Sequence, residues 1–504
     1  MGFRSFLAKP FASYIVSAQN KWASTPVQTQ KNVFNNLIFQ AKDTVFGKEH
    51  NFANIKTHQD FVKNVPIRDY EGLKPYIEQV IQGKNDVLWK GLPVYFAKTS
   101  GTTSGVKYIP ISKESIPNHI NSARNALLTY VHESKNADFL DKKLIFLSGS
   151  PTLDSKGKVL TGRLSGIANH HVPAYLRTNQ LPTYETNCIE DWETKLDAII
   201  EETLHQNMSL ISGIPPWVQM YFDRLQAKTG KQIKDIFPDF SLFVYGGVNF
   251  EPYKTKLFES IGKKIDSIEL FPASEGFFAY QDKMISEGLL LLLDTGIFFE
   301  FVPAEEYFNE NPTRLTIADV ELDKNYALII NSNAGLWGYS IGDTVKFVSK
   351  NPYRIVVSGR IKHFISAFGE HVIGEEVEKA MKYALTQFPE VEITEFTVAP
   401  QVTPQVNADI SQESALPHHE WLIAFSKLPN NLDLFAQTLD KEMQKLNIYY
   451  KDLIVGNILS TLKIKVLPSD AFISYMKSLG KLGGQNKVPR LSNDREIAEK
   501  LYQF

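Results

Sequence analysis

The stretch Lys98-Thr-Ser-Gly-Thr-Thr-Ser-Gly-Val-Lys107 concentrates more chemistry than any other in the chain. Ser100, Gly101, Thr102, Thr103, Ser104 and Gly105 offer hydroxyls and unobstructed backbone N–H groups, a combination that can wrap phosphate oxygens. Lys107 adds a compact positive charge. A Walker A loop would place Lys and Ser/Thr directly after its second glycine and run into a helix. Here Val106 intervenes and Tyr108-Ile-Pro-Ile111 reads as a strand, so that motif is excluded. The kinase glycine loop does not match either. On composition alone, a plain Ser/Gly surface turn stays open.

Further segments carry reactive types. Leu270-Phe-Pro-Ala-Ser-Glu-Gly276 sets a flat ring, Phe271, a hydroxyl, Ser274, and a hard oxygen ligand, Glu275, within five residues. Tyr245-Gly246-Gly247 precedes it. Trp337-Gly-Tyr-Ser-Ile-Gly-Asp343 ends on a carboxylate, although Gly-Asp is also a common hairpin turn. Ser358-Gly-Arg-Ile-Lys-His-Phe-Ile-Ser-Ala-Phe-Gly369 brings Arg360 and Lys362, which an exposed basic linker would also carry. His170-His171 and His418-His419 invite a metal reading, but adjacent residues rarely share one ion and no His-x-x-x-His spacing supports it.

The elements that must position these residues follow from periodicity. Val33, Phe34, Leu37, Ile38, Ala41 and Val45 recur at the helical period. From Val94 to Leu336, short apolar runs (144–147, 242–245 and 265–271) end in small or turn-forming residues, with helical stretches such as 217–225 between them. That alternation predicts a mainly parallel α/β sheet, whose ligands gather at the C-terminal ends of strands. From Gly288 to Val357 the helices thin out. Runs at 289–293, 297–302, 315–318, 326–330, 345–348 and 354–357 predict an antiparallel sheet or small barrel closing the large domain. After Gly359 a helix–strand–strand–helix–strand–helix order predicts a small α+β domain, with 399–417 as a surface loop inside it. The expected fold is thus α/β: a large N-terminal domain of mixed α/β subdomains with a β-barrel-like sheet, residues 1–360, and a small mobile C-terminal domain, 361–504, on a hinge.

Composition removes other classes. With 54 Lys+Arg against 56 Asp+Glu in 504 residues, the chain lacks the basic excess of a nucleic-acid binder. The aromatic content argues against disorder. A single cysteine, Cys188, excludes an intrachain disulfide and a thiolate zinc cluster and fits a reducing cytoplasm. Lys9 and Pro10 interrupt the apolar N-terminal stretch, Phe6 stands where a myristoylation signal needs Ser or Thr, and no run is long enough to span a bilayer. The expectation is a cytoplasmic protein with neither nucleic-acid nor membrane partners.

Taken in order, the Ser/Thr/Gly loop, 270–276, 337–343 and 358–369 resemble the four motifs of the adenylate-forming superfamily. Within it, Ala-Ser-Glu in the second motif and Gly484-Gln-Asn-Lys-Val-Pro-Arg490 are most similar to the Gretchen Hagen family of acyl-acid amido synthetases, known for coupling plant hormone acids to amino acids. The resemblance implies that Phe271 stacks on adenine, Ser274 reaches the α-phosphate and Glu275 helps hold Mg²⁺. It also implies that Asp343 binds both ribose hydroxyls, Arg360 contacts ribose or phosphate, and Lys362 sits at the hinge pivot. Lys487 is the candidate for the superfamily's C-terminal adenylation lysine, and Gly246-Gly247 border the adenine pocket. The chain departs from the pattern at Pro272, where glycine is usual, and at Ser340, where relatives often carry Arg.

The implied substrates are ATP with Mg²⁺, a small carboxylic acid, and an amino acid or other amine. Lys107, Glu275 and Lys487 are the expected catalytic groups. His170, Pro173, Tyr175, Ile214 and Trp217 are candidate liners of the acid pocket. Competing readings are an acyl-CoA ligase sharing the first half-reaction, a nucleotide-binding scaffold without catalysis, and an ATPase or kinase releasing ADP.

Overall fold

The computed structural model describes the chain except residues 1, 101–105, 173–176, 248–249, 286–287, 362–363, 366–371, 402–415, 456–458, 483–487 and 493. It divides into two compact units, residues 1–248 with 260–357, and residues 249–259 with 358–504.

The first unit is organised by one eleven-stranded sheet. Its parallel half contains β3 (Lys143–Phe146), β6 (Gln180–Leu181), β7 (Met208–Ser212), β8 (Leu242–Gly246) and β9 (Asp266–Ala273). The apolar runs at 144–147, 242–245 and 265–271 fall on β3, β8 and β9, because nearly continuous apolar sequence suits strands covered on both faces. At β9 the polarity changes. β10 (Gly276–Tyr280) returns antiparallel to β9 and is followed by β11 (Leu289–Leu291), β15 (Tyr353–Arg360), β14 (Tyr339–Lys350), β13 (Asn325–Ser332) and β12 (Ile297–Pro303). The strands after residue 288 are therefore not a sheet or barrel of their own, as the sequence reading expected. They continue the parallel strands in one ladder.

The run 315–318 is not a strand. Leu315 makes a single bridge to Phe301, and the Asp319 carboxylate then accepts from Thr316 N–H (3.2 Å) and Thr316 Oγ1 (2.7 Å), closing a turn. Apolar alternation over four residues could not register that turn.

Helices cover the sheet. The helix Pro26–Ala41 buries Val33, Phe34, Leu37, Ile38 and Ala41, as its period requires. From the same helix, Gln30 caps the outer edge of β12, donating to Ile297 O (2.9 Å) and accepting from Phe299 N–H (2.9 Å). The helix Tyr70–Ile81 starts at Asp69, whose carboxylate accepts from Gly72 N–H at 3.3 Å, and buries Tyr70, Leu73, Ile77 and Val80. Each such apolar side chain contributes roughly 1.5–3 kcal/mol on burial. A second sheet pairs β1 (Tyr95–Ser100) antiparallel with β2 (Val106–Ile111) and parallel with β5 (Val159–Gly162), with β4 (Asp154–Lys156) outside it.

In the second unit, β16 (Phe364–Ile365) pairs antiparallel with β17 (Val372–Ile373), and β18 (Glu392–Gln401) pairs antiparallel with β19 (His418–Lys427), which pairs parallel with β20 (Lys463–Leu467). Helices Gly374–Gln387 and Leu432–Leu446 contribute Val377, Met381, Phe435 and Leu439 to a core with Phe396 and Trp421. Among the described residues no helix is long and apolar enough to cross a membrane.

Candidate active site

The glycine-rich stretch connects two paired strands. Ser100 stands opposite Val106 and Thr99 opposite Lys107, so residues 101–105 must join the ends of a β-hairpin; they themselves lie outside the described residues. The hairpin is pinned at its base. The Tyr70 hydroxyl accepts Tyr108 N–H (3.0 Å), and Lys107 Nζ lies 5.7 Å from the centre of the Tyr70 ring. Burial pushes the Tyr70 phenol above its usual range, keeping it a neutral anchor. On the neighbouring positions Lys98 pairs with Asp154, and Lys156 Nζ lies 5.2 Å from the Tyr108 ring centre.

The second motif is a tight turn. Ala273 pairs with Gly276 across β9 and β10, leaving Ser274 and Glu275 as the two turn residues. Ser274 is buried and Glu275 half-buried. Asn118, from the helix Ile116–Ser134, fixes the turn from behind: it accepts from Phe277 N–H (2.7 Å) and donates to Phe277 O (2.9 Å). Phe271 is 7 % exposed, its ring edge-on to Phe278 at 5.2 Å, so the face it can offer a ligand is small. Gly246, at the end of β8, stands opposite Leu270. A Cβ there would lie 2.5 Å from Leu270 O, so only glycine permits this strand spacing.

The third motif forms no hairpin turn. Ile341, Gly342 and Asp343 lie in a bulge of β14, three residues facing Leu328 alone, because Ser340 pairs with Ile329 and Thr344 with Ala327. Bulges re-aim side chains, and this one takes Asp343 out of the regular alternation. Ser340, at the position where Arg is frequent, accepts the Tyr307 hydroxyl at 2.8 Å.

Tyr339, the third residue of that motif, joins these parts. It is 2 % exposed and its hydroxyl reaches Glu275 Oε1 at 3.4 Å. Burial and the Glu275 carboxylate push its phenol well above the ordinary range, with Asp69 and Tyr70 adding to the effect. Tyr339 thus links the bulged strand to the Ser274–Glu275 turn, and its phenol feels the charge of Tyr70, the anchor of the hairpin. Sequence reasoning quoted Tyr339 inside its motif but gave it no role. Asn118 carried no signal at all.

Other expected site residues are less informative. Arg360 ends β15 and only its backbone is described; Ser100 likewise. Lys362 and Lys487 lie outside the described residues, as do Pro173 and Tyr175. Next to Lys487, Arg490 donates to Glu378 Oε1 (3.1 Å), Phe396 O (3.1 Å) and Glu395, which holds that end of the block on β18. His170 bonds Pro151 O (2.8 Å) and His171 the Tyr95 hydroxyl (3.2 Å). Trp217 packs edge-on to Trp192 at 4.6 Å.

Among the described residues no three His, Cys, Asp or Glu side chains cluster to hold a metal. A single turn carboxylate, Glu275, fits Mg²⁺ only in the manner of nucleotide sites, where phosphate oxygens and water complete the octahedron.

Three family models match in chain order: the GH3 family N-terminal domain over residues 16–183, its central domain over 290–360 and its C-terminal domain over 375–496. The indole-3-acetic acid-amido synthetase GH3.3 of Arabidopsis thaliana is 21% identical, over 94% of this chain and 90% of its own length. A GH3 domain-containing protein of Homo sapiens is 24% identical over 43% of this chain and 41% of its own. Among solved structures, GH3.15 acyl acid amido synthetase superposes with a TM-score of 0.78 at 16% identity, covering 97% of this chain and 95% of that one. A 2-hydroxyisobutyryl-CoA ligase superposes at 0.58 and 13% identity, covering 95% of this chain and 92% of that one. The two superpositions speak to fold; the models, which together match well over half of the chain, speak to descent, and the chain belongs to the GH3 family.

Proposed function

We infer that this chain is an adenylate-forming ligase that activates a carboxylic acid with ATP and passes the acyl group to an amino acid, forming an amide. The observation that carries this is the convergence of Tyr339 on Glu275 beside the Tyr70-anchored hairpin, in a chain of the GH3 family. In the first step the acid's carboxylate oxygen attacks the α-phosphorus and the bond to pyrophosphate breaks, giving an acyl-adenylate. In the second, the amine attacks the acyl carbon, AMP leaves with the bonding electron pair, and the amine loses a proton.

The protein's part is positioning and charge. The hairpin residues 100–105 hold phosphate oxygens, and Lys107 adds a cation. Ser274 reaches the α-phosphate, Asp343 binds the ribose hydroxyls, and Gly246-Gly247 with Phe271 border the adenine. Glu275, steadied by the Tyr339 hydroxyl, is the carboxylate that would hold Mg²⁺, which when bound neutralises charge on the triphosphate. Arg360, Lys362 and Lys487 complete the reading as nucleotide contact, hinge pivot and adenylation lysine, with 361–504 as the mobile body. The reaction belongs to the cytoplasm, where ATP and reduced thiols coexist.

The test is acid-dependent exchange of labelled pyrophosphate into ATP, with a panel that includes indole-3-acetic acid, after which the Arabidopsis thaliana relative is named, and 2,4-DB, with which GH3.15 acyl acid amido synthetase forms a complex. Mass spectrometry of reactions supplied with mixed amino acids and with CoA then reads the acceptor. AMP, pyrophosphate and an amide are expected. Release of ADP, or no exchange with any acid, refutes the reading, and a thioester product replaces the acceptor.

A further inference from the structure

β12 reads Ile-Phe-Phe-Glu-Phe-Val-Pro and is buried throughout, yet its centre is a carboxylate, Glu300, with no exposed surface. Arg314 grips it with two bonds, Nε to Oε1 at 2.9 Å and Nη2 to Oε2 at 2.6 Å. His58 Nε2 lies 2.7 Å from Oε1, and Asn331 Nδ2 donates to Oε2 at 2.8 Å. Buried ion pairs seldom stabilise more than apolar residues of the same volume, so stability alone is a poor reason for this one.

What the network does have is an outlet. Asn331, 1 % exposed on β13, turns its other amide atom outward, and Oδ1 accepts Gly338 N–H at 2.7 Å. Gly338 packs closely on the chain beside it: its φ is +55° and a Cβ there would stand 2.6 Å from Pro66 O, so the position admits only glycine. On either side the chain is tied to Arg68, whose N–H donates to Gly338 O (2.8 Å) and whose carbonyl accepts Ser340 N–H (2.8 Å). Tyr339 lies between those bonds, and its hydroxyl ends on Glu275.

We propose that Asn331, oriented by the buried Glu300, is a positioning residue for adenylation: through Gly338 and Tyr339 it sets where the Glu275 carboxylate stands. The inference rests on the functional reading above. Asn331 touches neither nucleotide nor acid, so its loss acts on kcat through geometry rather than on acid binding. A displacement of about 1 Å at a catalytic group can cost on the order of 100-fold in rate.

The experiment is a double-mutant cycle, Asn331→Ala, Tyr339→Phe and both together, read by acid-dependent pyrophosphate exchange well below the unfolding midpoint of each variant. Each single change is expected to lower kcat about 10- to 100-fold with the acid KM within about twofold. Because both act along one line, the double variant should fall only marginally below the worse single one. Multiplicative losses, or a wild-type kcat for folded Asn331→Ala, would overturn the proposal. Should Asn331→Ala not accumulate as folded protein, Asn331→Leu, nearly the same shape without the amide, takes its place in the cycle. Wild-type protein without exchange on any acid is a separate result, which sinks the functional reading and this inference with it.

Discussion

Arg314→Met tests whether the buried carboxylate is held as the geometry implies. Glu300 has no exposed surface, and the Arg314 side chain is 3 % exposed. Burial raises the pKa of Glu300, but Arg314, together with the hydrogen bonds from His58 and Arg314, outweighs it and holds the group at about 2. Removing the guanidinium leaves a carboxylate in the core with only His58 and Asn331 as partners, a loss on the order of 3–5 kcal/mol at neutral pH. The pH dependence carries the sharper signature. In the wild type the depressed pKa gives stability that is complete above the unfolded value of 4.5 and is lost as pH falls toward 2. In the variant burial dominates, so the pKa rises above 4.5, and stability is instead lost as pH rises through it. The two proteins should therefore differ most near neutrality, with the gap narrowing once pH falls below the variant's raised pKa and closing only as pH approaches 2. Urea unfolding at several pH values, with the m-value unchanged, reads this directly. A Glu300→Gln change on top should regain much of the loss at neutral pH, because a neutral amide needs no counter-charge. A cost below about 1 kcal/mol, or a gap that stays constant from pH 7 to 5, would refute the argument.

Other outcomes follow from the same geometry. On the proposed function, Asp343→Ala removes a charge-assisted partner of the ribose and should lower kcat/KM for ATP by roughly 10- to 100-fold while leaving the fold intact by circular dichroism. Gly338→Ala places a Cβ on Pro66 O at positive φ, and should destabilise by about 2 kcal/mol or more, read as a lowered urea midpoint. His119 is buried with its Nδ1 unpartnered, and burial lowers its pKa from 6.5 to about 4. It folds neutral, so its contribution is complete above pH 6.5 and falls as pH drops toward 4. His119→Gln should flatten the decline in stability across that window by on the order of 3 kcal/mol; an unchanged slope would contradict it.

The sequence made local things legible. Runs of apolar residues ending in Gly, Ser or Pro located β3, β8 and β9, and Tyr108–Ile111 read as a strand, as it is, so that the glycine-rich stretch does not run into a helix. Motif order placed Glu275 and Asp343 in relation to each other only through resemblance. The contacts that join them were not legible. Asn118 meets Phe277 across 159 positions, and Tyr339 meets Glu275 across 64. Such pairings depend on strand register, which no short-range pattern encodes. The bulge at Ile341–Asp343 hid for the same reason, since Gly-Asp looks like a turn until the partner strand is known. Glu300 did leave a trace, a lone charge in an otherwise apolar run, but its meaning needed Arg314, His58 and Asn331 to be seen around it.

The cap that Gln30 places on β12 has a consequence for solubility. β12 ends the long ladder, and its seven buried residues include three phenylalanines with one charge among them, that charge turned inward to Arg314. Uncovered, such a border strand is a template for another chain, since its free amides and carbonyls would accept a second copy in cross-β fashion. Gln30 occupies Ile297 O and Phe299 N–H with its own carboxamide, Leu315 bridges Phe301 further along, and the helix carrying Gln30 shields the phenylalanines. Gln30→Ala should therefore scatter light on gentle heating before its enzymatic turnover changes, and equal colloidal behaviour of the two proteins would show that the helix alone suffices as a guard.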